Sequence, residues 1–216
     1  MTKRTVFLSM AVLLPTVLAS GSVVSAAETG RRYVNGQVWK NGSNSYTVSE
    51  YALGVSLWVN GSGSNLYFSG RPFSGSVWGS GSYFNISGAG VNATVNKWGG
   101  NYSVNGTIHP QGGGQALRVN FTMNALGRED DPNHPPSYSL YDYSSGANIN
   151  LNPNGRDGYY LSGWVDMEKF GAYGTALVGL VATIAIESRP APKPKAQEPA
   201  PQAPAGRELE PLPFPL

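Results

Sequence analysis

Four tryptophans, Trp39, Trp58, Trp78 and Trp98, stand 19, 20 and 20 residues apart. An indole face can stack on the apolar face of a pyranose ring. A row of indoles also suits a membrane interface, where aromatic side chains form belts. The residue before each Trp is Val38, Leu57, Val77 or Lys97, and the residue two before is Gln37, Ser56, Ser76 or Asn96. Alternate residues of a regular strand share a face, so each indole lies with the polar set. That predicts exposed indoles lined up at one edge of a sheet, beside the turns, as a ligand-binding row. A bulge near each turn would instead rotate them inward to plug the end of the core.

A second cluster is Glu129, Asp130, Asp131 and His134. Adjacent Asp130 and Asp131 could share a calcium ion with backbone oxygens. The plainer reading is a solvated acidic loop. With two histidines and no cysteine, the chain lacks the ligands of a zinc centre. Asn150, Asn152, Asn154 and Gly155 match the opening of a calcium loop, but Leu161 stands where the bidentate Glu is needed. Asp166, Glu168, Asp142 and Glu50 are the other carboxylates that could do acid chemistry. Asp166 and Glu168, two apart on one strand, would share a face and would not make the opposed pair of a glycosidase. His109 and His134 sit in loops without a nucleophile elbow. The glycines punctuate hairpins and do not lead into a phosphate-binding helix. The residues therefore predict a non-catalytic protein with no cofactor, calcium being the one ion to consider.

The elements that must hold these residues read as β-structure. Each Trp is followed by a Gly/Asn/Ser turn and then an alternation such as Tyr46-Thr47-Val48, Leu66-Tyr67-Phe68, Tyr83-Phe84-Asn85-Ile86 or Tyr102-Ser103-Val104. Such a fixed period marks a repeated strand–turn–strand unit. Asn41-Gly42 and Asn60-Gly61 suit tight turns. Ala116 to Met123 places Leu117, Val119, Phe121 and Met123 on one face, with Arg118, Asn120 and Thr122 on the other. Gly127 to Ser139 holds three prolines and reads as an exposed loop. Phe170 to Ile186 is the most apolar stretch after the N-terminal segment. With Gly171, Gly174 and Gly179 it is too short and glycine-rich for a membrane span, so it reads as a buried strand pair or one strand with a Gly bend.

Residues 1–27 have the form of a signal peptide: Lys3 and Arg4, an apolar run from Val6 to Leu18, and small residues at Val24-Ser25-Ala26. An exported chain without cysteine has no disulfides to staple it and must rely on its core. Residues 31–188 carry nine Lys/Arg and nine Asp/Glu, a balance that argues against nucleic acid as partner. Residues 189–216 include nine prolines and read as an extended, disordered tail that acts as spacer or tether. Seven Asn-x-Ser/Thr sequons follow from an Asn/Ser/Thr-rich face at period two.

Repeated strand–turn–strand units also occur in curli fibre subunits, whose Gln/Asn ladder positions are missing here. Avidin-type secreted barrels resemble the chain in their Trp/Tyr/Ser/Thr/Gly/Asn composition, with no motif that aligns. Neither resemblance assigns a site. The fold expected is all-β, a single antiparallel meander of nine to eleven strands over 31–188, closed as a barrel or folded as a sandwich, with a β-solenoid as alternative. The function expected is an exported envelope or extracellular protein, periplasmic, at the cell surface or secreted, with a structural or polysaccharide-binding role. The alternative is a membrane-inserting barrel or pore.

Overall fold

The computed structural model describes residues 30–110, 113–128, 131 and 134–189. The expected signal peptide, Asp130 and the tail beyond Arg189 lie outside them. Twelve strands follow one another: β1 (Arg31–Lys40), β2 (Ser45–Glu50), β3 (Val55–Ser62), β4 (Asn65–Arg71), β5 (Gly75–Ser80), β6 (Tyr83–Gly88), β7 (Val91–Trp98), β8 (Asn101–Ile108), β9 (Leu117–Leu126), β10 (Ser137–Asp142), β11 (Ala147–Pro153) and β12 (Gly158–Asp166). Each pairs antiparallel with the next, and β1 closes on β12 from Arg31↔Asp166 to Trp39↔Gly158. The meander is thus a closed barrel, neither sandwich nor solenoid, with one strand more than the sequence count.

Period-two alternation sets which side of the wall each residue takes. Along β3, Val55, Leu57 and Val59 are buried while Ser56, Trp58 and Asn60 are exposed. β9 buries Val119, Phe121 and Met123 between Asn120, Thr122 and Asn124, as its pattern predicts. The Asn60-Gly61 pair is not a turn: β3 runs through it to Ser62, and the chain reverses at Gly63-Ser64.

The largest correction concerns the C-terminal apolar stretch. It is not a strand pair but an α-helix, α1 (Gly171–Glu187), buried on all sides within the barrel. Geometry explains it. Strands about 4.8 Å apart and tilted about 35–45° close a twelve-stranded wall at a radius of about 11–13 Å. A helix with its side chains takes about 5–6 Å of that radius, and inward wall residues fill the rest. α1 suits the position because it is apolar all round. Its two buried hydroxyls are satisfied on its own backbone, Thr175 donating to the Gly171 carbonyl at 2.8 Å and Thr183 to Gly179 at 3.0 Å.

Polar contacts hold the far end of the helix. Glu187 accepts from the Lys40 ammonium at 2.9 Å, from the Gly63 N–H at 2.8 Å and from the Tyr46 hydroxyl. Arg189 then lies over the Tyr159 ring at 4.8 Å and donates to the Arg156 carbonyl. The helix therefore runs from the rim where β12 ends to the rim where β1 ends.

Candidate functional site

At one rim the chain reverses three times after an acidic residue, and the carboxylate of each holds the turn. Glu50 accepts from the N–H groups of Asn35 at 3.1 Å, Ala52 at 3.0 Å and Leu53 at 2.7 Å. Asp142 accepts from the Ser144 N–H at 2.8 Å and from the hydroxyls of Ser144 and Ser145 at 2.6 and 2.9 Å. Asp166 accepts from Glu168 and Lys169 N–H at 3.0 and 2.9 Å. Glu50 and Asp142 are 1% exposed. Three of the carboxylates considered for acid catalysis are thus occupied in ordering turns. The turn geometry also requires Gly54 and Gly146, at φ +69° and +68°, conformations open to glycine.

These turns push the residue after the acid into solvent. Tyr51 is 80% and Tyr143 91% exposed. Tyr143 meets Tyr141 edge to face, with ring centres 4.5 Å apart. β10 ends here, and three strands away, across β9 and β8, β7 runs in the opposite direction and carries Trp98 as its last residue. Between them lies a groove of about 540 Å³, lined by Trp98, Tyr141 and Tyr143, by Asn120, Thr122 and Asn124 of β9, and by Asp142 and Ser144 at the end of β10. Aromatic walls over an amide-and-hydroxyl floor can stack on a ligand's apolar face and hydrogen-bond its hydroxyls. A smaller groove of about 210 Å³ lies by Tyr51, between Asn35, Gln37 and Tyr160.

The four spaced tryptophans all face outward. Trp39 is 38% exposed, Trp58 55%, Trp78 54% and Trp98 55%. They do not form one row. The hairpins reverse at Gly63, Gly81 and Gly99, every 18 residues, whereas Trp58, Trp78 and Trp98 recur every 20. Each successive indole therefore sits two residues closer to its turn. The row partner of Trp78 on β3 is Ser62, reached through Asn65, four residues past Trp58. Two strand spacings and four residues along separate these indoles by about 16 Å at Cα. The indoles are thus staggered across the wall rather than aligned along one edge. Trp98 joins a groove. Trp39 covers the seam, since a carbon added at Gly158 would stand 2.5 Å from its ring. Trp58 and Trp78 stand apart on the wall.

Among the described residues the acidic loop shows no metal-binding group. Both Asp131 oxygens hold His134, one accepting from its N–H at 3.3 Å and the other 2.9 Å from Nδ1. Sequence reading missed Tyr141, Tyr143 and Asn124. Their exposed aromatic and amide character was legible, but not their meeting with Trp98. Among the described residues no helix is long and apolar enough to cross a membrane. The chain matches no known family, curated protein or solved structure.

Proposed function

We propose that this is an exported, non-catalytic protein of the cell envelope or extracellular space that binds neutral carbohydrate at the Trp98–Tyr141–Tyr143 groove. One observation carries the reading: three exposed rings, from β7, β10 and the turn after β10, flank a floor of Asn120, Thr122 and Asn124, while the Asp142 carboxylate in the lining is buried and held by Ser144 and Ser145. Large amphipathic rings and amide groups make contact area at small entropic cost. The balanced charge of residues 31–188 agrees with an uncharged ligand.

The distribution of side chains favours this over the membrane alternative. A lipid-facing barrel carries an apolar band outside and a polar lumen. Here Val, Leu, Ile and Phe face inward onto an apolar helix, while Asn, Ser and Thr make up most of the outer face.

Affinity electrophoresis in gels containing soluble neutral polysaccharides, with a peptidoglycan pull-down beside it, tests the reading. The wild-type protein is retarded or retained. Trp98→Ala and Tyr141→Ala each weaken retention about tenfold, the effect of a contact worth about 1.4 kcal/mol. Trp58→Ala, outside the groove, leaves it unchanged. Free migration of the wild type on every polymer overturns the proposal.

A further inference from the structure

The outer wall carries a continuous polar lane that joins the two grooves. Strand register places Asn35 beside Ser162, Ser162 beside Asn150, Asn150 beside Ser139 and Ser139 beside Asn124. Asn124 belongs to the larger groove and Asn35 to the smaller. From β1 to β9 Asn and Ser alternate, the amides exposed and the shorter hydroxyls half-buried between them; on β8 the next position is Asn101, half-buried and accepting from the Ala125 N–H at 2.8 Å. Among the described residues none of these five side chains makes a hydrogen bond to another protein group. Five adjacent amides and hydroxyls are thus free to face a ligand.

Rings stand along both borders of the lane, most of them on one side. Residues two apart on a strand share its face, so Tyr33, Trp164 and Tyr141 flank one side and Tyr160 the other. Tyr33 and Trp164 meet edge to face at 5.3 Å. All of these rings are 45–50% exposed. No charged residue stands in the lane or among these flanking rings.

Resting on the carbohydrate reading above, we propose that the lane binds one extended chain of a neutral polysaccharide, laid across the strands from Trp98 on β7 to Asn35 on β1. Spacing identifies the occupant. Neighbouring strands are about 4.8 Å apart, and an extended pyranose chain advances about 5 Å per ring, so each strand from β9 to β1 offers one polar group per sugar. Asn–Ser alternation repeats every second strand, as a disaccharide repeats along such a chain. Six interstrand steps from β7 to β1 cover about 29 Å, room for about six rings. The surface is the convex wall of a closed barrel. A flat crystalline polymer face would touch it along only a strand or two, whereas a single soluble chain can follow the curve.

Calorimetric titration with soluble β-linked glucose and N-acetylglucosamine oligomers, from disaccharide to octasaccharide, tests the lane. Affinity for one series rises with length and levels off near the hexasaccharide. Asn150→Ala and Asn35→Ala each weaken hexasaccharide binding about fivefold, one hydrogen bond's worth, and leave the disaccharide unaffected. Both side chains are exposed, and an unchanged melting temperature certifies each variant's fold. Equal affinity for short and long oligomers, abolished by Trp98→Ala, overturns the lane and leaves the groove standing. Binding to crystalline cellulose or chitin but not to soluble chains also overturns it. No binding at any length removes lane and groove together.

Discussion

Val48 occupies the space that a side chain on Gly179 would need: a carbon built there would stand 2.2 Å from Val48 Cγ1. Helix and wall touch at van der Waals distance through a missing Cβ. Gly179→Ala raises intrinsic helix propensity by about 1 kcal/mol, but valine's branched side chain has little freedom to yield. The expected result is a net loss of about 1–3 kcal/mol by denaturant unfolding. Val48→Ala added to Gly179→Ala restores part of it. A more stable single variant would show that the helix sits further from β2.

Glu187 is the anchor at the end of the helix. Its carboxylate takes Lys40, Tyr46 and the Gly63 N–H together, and its side chain is 11% exposed. Glu187→Ala leaves a half-buried ammonium without its partner, and the expected loss is about 1–3 kcal/mol. Tyr46→Phe removes one contact and costs less. Thermal unfolding of the two variants checks that order.

Trp39 and Trp58 look alike in the sequence and differ in the fold. Trp39 covers the bare α-carbon of Gly158 across the β1–β12 seam. Trp58 is 55% exposed, between Thr47 and Ser69. Trp39→Ala should cost about 1–2 kcal/mol, in the range of cross-strand aromatic and packing losses. Trp58→Ala should fall within about 0.5 kcal/mol of wild type. Equal losses on chemical denaturation would refute the seam role.

The rim turns depend on their acids. Glu50→Ala strands the N–H groups of Asn35, Ala52 and Leu53 beside a buried site, an expected cost of about 1–3 kcal/mol. Glu50→Gln keeps one acceptor oxygen and recovers part of it. Amide hydrogen exchange at residues 51–54 should accelerate in Glu50→Ala before global stability is lost.

The wall was legible because alternation is a local signal. In β9 and β3 one face is apolar and the other polar, and strand pairing leaves that assignment intact. The sequons have the same origin: Asn92, Asn105 and Asn120 all point outward on adjacent strands. α1 was not legible because nothing around it is solvent. A helix wetted on one side shows its period, and one enclosed by a barrel is apolar everywhere. Val181, Ile184 and Ile186, β-branched and late in the run, then pointed to a strand. The length of an apolar run without alternation was the available clue. The groove was out of reach for another reason. Trp98 and Tyr141 are set on one groove by register across β8 and β9, and register depends on where every hairpin turns.

The enclosed helix also constrains how the molecule can be made. Twelve strands hydrogen-bonded in a ring leave no gap wide enough to admit a helix, and α1 is encoded after the last of them. Among the described residues β1–β12 is the one ladder between strands that are not consecutive, so a meander assembled in chain order is still open there when the helix takes its place. Pairing Arg31 with Asp166 joins the two ends of the domain. The entropic cost of so long a loop grows slowly with length, but non-local pairings slow folding toward the millisecond-to-second range. The first strand waits unpaired on one edge until the final strand and the helix arrive. Once shut, the cylinder releases its core by breaking one of its ladders, and the closing β1–β12 ladder is the longest at nine residue pairs while β4–β5 is the shortest at four.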